Sequence, residues 1–136
     1  MLAHIRFALT LSRAYDALAE KQPAMALAAL HKLPEADRKR LRVQAMTMMA
    51  LRDLGRYEFA IAMYDGFHAT LLRDADRSNE SKRYLSVFVR LLVSDCFYKL
   101  HGEDAALPVA YIVPMWEGEF SHVPGHIRRW FPIVGG

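Results

Sequence analysis

Two stretches of this chain can be laid over one another at an offset of 34 residues, and no other feature limits the fold as much. Ala14 falls on Met48, Ala26 on Ala60, Leu27 on Ile61, Leu30 on Tyr64 and Leu33 on Phe67, while Lys21 falls on Gly55 and Pro23 on Tyr57. Within each stretch the apolar residues recur in steps of three and four, the spacing of one helix face. Leu2, Ile5, Leu9, Leu11, Tyr15 and Leu18 predict a first helix, and Met25, Leu27, Leu30 and Leu33 a second. Pro23 suits the first turn of that second helix, where a missing N–H costs nothing. Pro34 ends it, because the residue before a proline avoids the α region. A third helix is predicted over residues 35–54 (Leu41, Val43, Met46, Met49, Leu54), closed by Gly55 in a left-handed cap. A fourth runs through Phe59, Ile61, Met63, Tyr64 and Phe67 to Leu72. Residues 1–34 and 35–72 therefore read as two helical hairpins. A lone hairpin leaves an apolar face in water, so hairpins of this kind stack.

The second unit carries a recognisable pattern, Leu54-Gly55-Arg56-Tyr57-Glu58-Phe59-Ala60-Ile61-Ala62-Met63-Tyr64. It is similar to the Gly-x-Tyr-x-x-Ala-hydrophobic-x-x-Tyr pattern of tetratricopeptide repeats, whose period is also 34 residues. Gly55 serves the tight turn, Tyr57 packs on it, and Ala60 is small where helices cross. The first unit keeps Ala26, Leu27 and Leu30 but has Lys21 and Pro23 where the family has Gly and Tyr. A third unit turning at Gly102 would need an insertion, and Leu107-Pro108 replaces the family's Ala-hydrophobe pair. The resemblance covers residues 7–107 and implies a short solenoid of antiparallel hairpins.

Beyond Leu72, residues 73–82 are polar apart from Ala75 and form either a loop or the exposed end of a helix. Residues 84–100 are the most apolar stretch, with Leu85, Val87, Phe88, Val89, Leu91, Leu92, Val93, Phe97 and Leu100 covering most of a helix circumference, as in a helix buried between neighbours. Asp104 can cap a short sixth helix, so residues 82–113 are assigned to a third hairpin. Four of the six prolines follow Leu100, and periodicity is lost after Pro114. Residues 114–136 are expected to be an irregular tail covering the last hairpin. The fold class expected is thus all-α, a single domain of five to six helices with no sheet.

Composition excludes several classes. Hydrophobic residues make up 53% and charged residues 24%, the balance of a globular chain rather than a disordered one. No apolar run approaches the ~18 residues of a membrane span. Residues 1–14 hold Arg6 and Arg13 and no acid, as transit peptides do, but their periodicity assigns them to the first helix. Cys96, the single cysteine, cannot form an internal disulfide and sits in an apolar run as a small hydrophobe. A reducing cytoplasm is the simplest compartment. The net charge of +3 arises from interleaved signs (Glu35, Asp37, Arg38, Lys39, Arg40, Arg42), which describes a solvated face rather than a phosphate stripe.

Catalytic signatures are missing: no Gly-rich phosphate loop, His-Glu-x-x-His, Cys-x-x-Cys or Gly-x-Ser-x-Gly is present. His122 and His126 are separated by Val-Pro-Gly, which breaks the helix that would put them on one face. Asp95, Glu117 and Glu119 have no spacing that requires acid–base chemistry. No enzyme activity, metal or cofactor is expected. The tail sets Trp116 beside Glu117 and Glu119, and Arg128 and Arg129 beside Trp130, a combination that can stack on bases but more often covers the apolar end of a solenoid.

The family resemblance implies that the first helices of successive units line a groove for a peptide or helix of another protein. Mapped onto this chain, that face comprises Leu11, Tyr15 and Leu18, then Arg42, Met49 and Arg52, then Val89, Leu92, Cys96 and Lys99. Its apolar and basic character suits hydrophobic anchors with some negative charge. The expected role is that of an adaptor or chaperone, similar in size and repeat number to small bacterial secretion chaperones. An inhibitor or immunity-type protein that blocks an enzyme reads identically. A nucleic-acid binder using Arg128, Arg129 and Trp130 is the weaker alternative, and self-association stays open.

Overall fold

A computed structural model describes residues 2–134 of the chain. It divides into two compact units, Met1–Arg73 and Asp74–Gly136. The chain is mostly helical, with eight α-helices among the described residues.

The first unit holds α1 (Leu2–Ala19), α2 (Pro23–His31), α3 (Glu35–Arg38), α4 (Leu41–Asp53), α5 (Tyr57–Ala62) and α6 (Tyr64–Arg73). α1 packs on α2 and α4 on α5, and the turns that follow α1 and α4 repeat in detail at the 34-residue offset. After α1, the Lys21 N–H bonds the Leu18 carbonyl (3.1 Å) and the Gln22 N–H bonds the Ala17 carbonyl (2.8 Å). After α4, Gly55 bonds Arg52 (2.9 Å) and Arg56 bonds Leu51 (2.8 Å) in the same pattern. This is the paired cap that satisfies the last carbonyls of a helix through a left-handed residue. Lys21 has φ 59° and Gly55 φ 77°. The two positions do the same conformational work with different residues.

A β-carbon makes the left-handed region cost about 1–2 kcal/mol, part of which glycine gives back as unfolded-state entropy. Lys21→Gly should therefore stabilise the protein by roughly 0.5–1 kcal/mol. Gly55→Ala should destabilise it by about 1 kcal/mol, although a Cβ there meets nothing within 4 Å. Thermal melts of the pair that shift in the same direction would show that the two turns are not equivalent.

Core residues obey the same offset. Ala14 and Met48, Ala26 and Ala60, Leu30 and Tyr64, and Leu33 and Phe67 are all buried. Ala14, Ala17, Ala26, Leu30, Leu33, Val43 and Ala50 form one cluster, with Phe7, Leu11, Leu18, Leu27 and Met46 packed against it. α4 is buried on two sides. Val43 and Ala50 enter that cluster, while Leu41, Ala45 and Met48 are buried as α4 packs on α5 and α6. Fully burying a side chain such as Phe67 or Leu30 contributes about 1.5–3 kcal/mol.

Two predicted helices are interrupted. The stretch 35–54 breaks at Arg40, whose backbone is extended (φ −66°, ψ 144°). Its guanidinium pairs with Asp37 at 3.3 Å and lies 4.3 Å above the Phe7 ring. The stretch 57–72 breaks at Met63, whose N–H bonds the Ala60 carbonyl three residues back, as in a tightened turn.

The second unit is built on α7 (Asn79–His101). The polar stretch before it is a loop: the Asp74 carboxylate accepts from the N–H groups of Asp76 (3.0 Å) and Arg77 (3.1 Å). Ser78 then caps α7 by accepting from the Ser81 N–H (3.2 Å). The short sixth helix expected from Asp104 is absent. In its place is a single 3-10 turn, Val109–Tyr111, because Pro108 cannot donate the hydrogen bond a longer helix needs there. The expectation of no sheet also fails, though minimally. β1 (Met115–Trp116) and β2 (Ile133–Val134) pair in parallel, Met115 with Ile133 and Trp116 with Val134. Between them lie a 3-10 stretch, Glu117–His122, and α8 (Gly125–Arg128). Leu107, Tyr111, Met115, Phe120, Val123, Ile127 and Phe131 are buried. The tail is thus part of a core and not merely an irregular cover.

Candidate functional site

The residues mapped by resemblance differ in how far they are exposed. On the first unit, Tyr15 is 68% exposed and Arg42 is exposed, so both are available to a partner. Leu11 and Leu18 are half-buried and packed against the α1–α2–α4 cluster, and Met49 is half-buried on α4. Arg52 is paired with Asp53 at 3.1 Å, which neutralises the charge expected to meet a partner. On the second unit, Lys99 is exposed, but Leu92 (3% exposed), Val89 and Cys96 are core. They are withdrawn from the partner-facing set. A helix that is apolar around most of its circumference does not reveal which side is left open, and here buried residues of the tail share the unit with α7.

A concavity lies on the other side of α4. The cleft between α2 and α5 has an apolar floor of Leu27, Leu30, Leu51, Phe59 and Met63, with Ala62 and Thr47 beside them, and a volume of about 550 Å³. His31, Glu35, Arg38 and Lys39 form its rim. Glu35 and Lys39 are 3.7 Å apart and both well exposed, a contact worth little. Phe59 is the large side chain here that burial does not satisfy, at 58% exposed. The sequence pattern counts Phe59 among the core positions of its helix. Its 34-residue equivalent, Met25, is 62% exposed, so the offset itself marks this position as outward-facing.

The tail's arginines are already engaged in hydrogen bonds, while Trp116 is 51% exposed. Arg128 donates to the carbonyls of Phe120 and Val123, and Arg129 to that of Glu103. Arg83 grips Glu119 with both terminal nitrogens (2.5 and 3.2 Å) and also bonds the Pro114 carbonyl (3.2 Å). The same carboxylate accepts from the Trp116 N–H at 2.8 Å. The Arg83 hydrogen bond holds the Glu119 carboxyl below its ordinary pKa, against a smaller desolvation effect, and Glu119 in turn raises that of Arg83. Arg90 reaches the Ile112 carbonyl at 3.1 Å. Arg83 and Arg90 thus fasten the tail to α7 within the second unit, while Arg128 and Arg129 tie the tail to itself and to the turn after α7.

His122 lies exposed in the 3-10 stretch, while His126 is half-buried edge-on to Tyr98, 5.1 Å between ring centres. Among the described residues no three His, Cys, Asp or Glu side chains gather where they could hold a metal ion, and no helix is long and apolar enough to cross a membrane. Compared with family models, with curated proteins and with solved structures, the chain finds no match.

Proposed function

We propose that this chain is a non-catalytic protein-interaction module whose first unit is a tetratricopeptide-like pair of hairpins, and that it holds a segment of another protein in the cleft between α2 and α5. The observation that carries this reading is Phe59, 58% exposed above an apolar floor of about 550 Å³. An exposed aromatic over a preformed apolar cleft is what an anchor residue of a partner needs. The tetratricopeptide reading is supported by the 34-residue recurrence of the left-handed turn, the cap hydrogen bonds and the buried alanines. Arg38 and Lys39 at the rim favour a segment carrying acidic residues beside its apolar anchors. If the captured protein is an enzyme, the same binding makes the chain an inhibitor.

A second face is favoured by one observation, the 68% exposure of Tyr15 on α1. Selection from a displayed random-peptide library addresses both. The wild type should enrich sequences with apolar residues at helical spacing and neighbouring acids, and Phe59→Ser should weaken the selected peptides at least tenfold. A Tyr15→Ser/Met49→Gln double variant should bind them as the wild type does. The reverse result moves the site to α1 and α4. Enrichment of basic peptides indifferent to both variants removes the interaction reading, and oligonucleotide binding lost in Arg128→Ala/Arg129→Ala would replace it.

A further inference from the structure

A continuous helix over residues 35–54 would leave residues 35–39 as a further turn on the axis of α4. Instead, the chain is extended at both Pro34 (φ −56°, ψ 152°) and Arg40 (φ −66°, ψ 144°), so α3 stands apart from α4 as a short segment of its own. No residue of α3 is buried, and the core therefore does not account for it. Its place is nonetheless fixed. The Gln44 side-chain amide donates to the Lys39 carbonyl at 2.6 Å. The Arg40 guanidinium, 3.3 Å from Asp37, rests on the Phe7 ring of α1 at 4.3 Å, a cation–π contact that braces the end of α3. What α3 gains by this placement is the rim of the α2–α5 cleft, to which Glu35, Arg38 and Lys39 belong.

The floor and the rim together state the chemistry of the occupant. The floor takes Leu27 and Leu30 from α2, Thr47 and Leu51 from α4, and Phe59 and Met63 from α5 and its end. Within each pair the residues lie one helical turn apart, so every wall is roughly 5–6 Å long. One large apolar side chain of a partner fills such a length, and further anchors of a helix face fall outside it. Of the charges around α3, Glu35 and Lys39 face each other at 3.7 Å and Asp37 is taken by Arg40. Arg38 is exposed and, among the described residues, enters no ion pair. A guanidinium offers a planar fork of donors that fits a carboxylate with two hydrogen bonds. We infer that α3 is the selectivity element of the cleft. Arg38 pairs with a carboxylate of the captured segment about one helical turn from its apolar anchor, and Arg40 is the positioning residue that holds α3 at the rim. This rests on capture in the cleft as proposed above.

A displayed library of helical peptides tests this with the full chain as bait. Each peptide carries one fixed tryptophan, and the positions three and four residues to either side of it vary over glutamate, glutamine and lysine. The wild type should enrich glutamate over lysine at one of these positions by roughly tenfold. Arg38→Glu should reverse that order. Arg40→Ala should still retain tryptophan peptides but bring the ratio close to unity, because the anchor fits while the guanidinium of Arg38 is no longer held in place. Arg40→Lys, which keeps the charge facing Asp37, should restore most of the preference. The ratio separates selectivity from folding, since a lost fold removes all peptides alike. A glutamate preference that survives Arg38→Glu, or one untouched by Arg40→Ala, overturns the inference; where Phe59→Ser has lost the same peptides, capture in the cleft stands without it. Peptides kept by Phe59→Ser, or none enriched by the wild type, overturn capture and inference together.

Discussion

Replacing Phe131 by alanine should cost roughly 3–5 kcal/mol, the price of a core phenylalanine, although the residue lies in a proline-rich stretch near the C-terminal end. Phe131 is 3% exposed, and Met115, Phe120 and Ile127 of the same unit are buried to a similar extent. The loss combines the transfer free energy of the ring with the cavity left behind, and the β1–β2 ladder beside it limits collapse. Ile133, two residues on and 57% exposed, is the control, and Ile133→Ala should stay within about 0.5 kcal/mol. The measurement is urea unfolding followed by Trp116 and Trp130 fluorescence, which reports the second unit because both tryptophans belong to it. A unit of this size has modest stability, so a loss of several kcal/mol should move the midpoint far toward zero urea. If Phe131→Ala is as mild as Ile133→Ala, the tail is a loose cover after all.

The tail also shows where sequence reasoning stopped and why. Its prolines end helical periodicity, and with no period there is no face to assign. Yet Leu107, Tyr111, Met115, Phe120, Val123, Ile127 and Phe131 follow one another at three to five residues, and all are buried. Recurrent apolar residues with helix breakers between them mark a compact non-helical segment. The bases of Arg83, Arg128 and Arg129 could not be placed from sequence, because their partners are backbone carbonyls and a carboxylate up to 36 residues away. By contrast, the 34-residue offset and the left-handed turn at Gly55 were legible in the first unit, while the breaks at Arg40 and Met63 were not. Lys21 aligned with Gly55, and both are left-handed. Ala26 aligned with Ala60, and both are fully buried. The break at Arg40 was not legible, since a charged run looks equally solvated in a helix or an extended link. Of the partner-facing set, Tyr15 and Arg42 are exposed while Leu92 is not. Local periodicity settles which residues share a helix face, but not what covers that face.

The sharpest test of the repeat is a methyl-sized position forced to hold a larger side chain. Ala60 is 0% exposed, on α5 where it packs on α4, and its equivalent Ala26 is also 0% exposed on α2. Ala60→Leu adds three carbons where buried neighbours such as Met48, Tyr64 and Phe67 already fill the unit. Close-packed interiors accept such volume only by pushing side chains off their rotamers or helices apart, at about 1–3 kcal/mol. Ala26→Leu should cost a similar amount, because the offset makes the two sites the same crossing. Ala62, two residues along and exposed on the rim of the cleft, has room for the larger side chain, and Ala62→Leu should be nearly neutral. Thermal unfolding of the three variants therefore has an ordered expectation, with Ala60→Leu and Ala26→Leu lowered together and Ala62→Leu close to wild type. Equal shifts for Ala60→Leu and Ala62→Leu would contradict the helical phase of α5, and with it the orientation of Phe59 on which the partner cleft depends. A large shift for Ala60→Leu beside a silent Ala26→Leu would instead break the equivalence of the two hairpins.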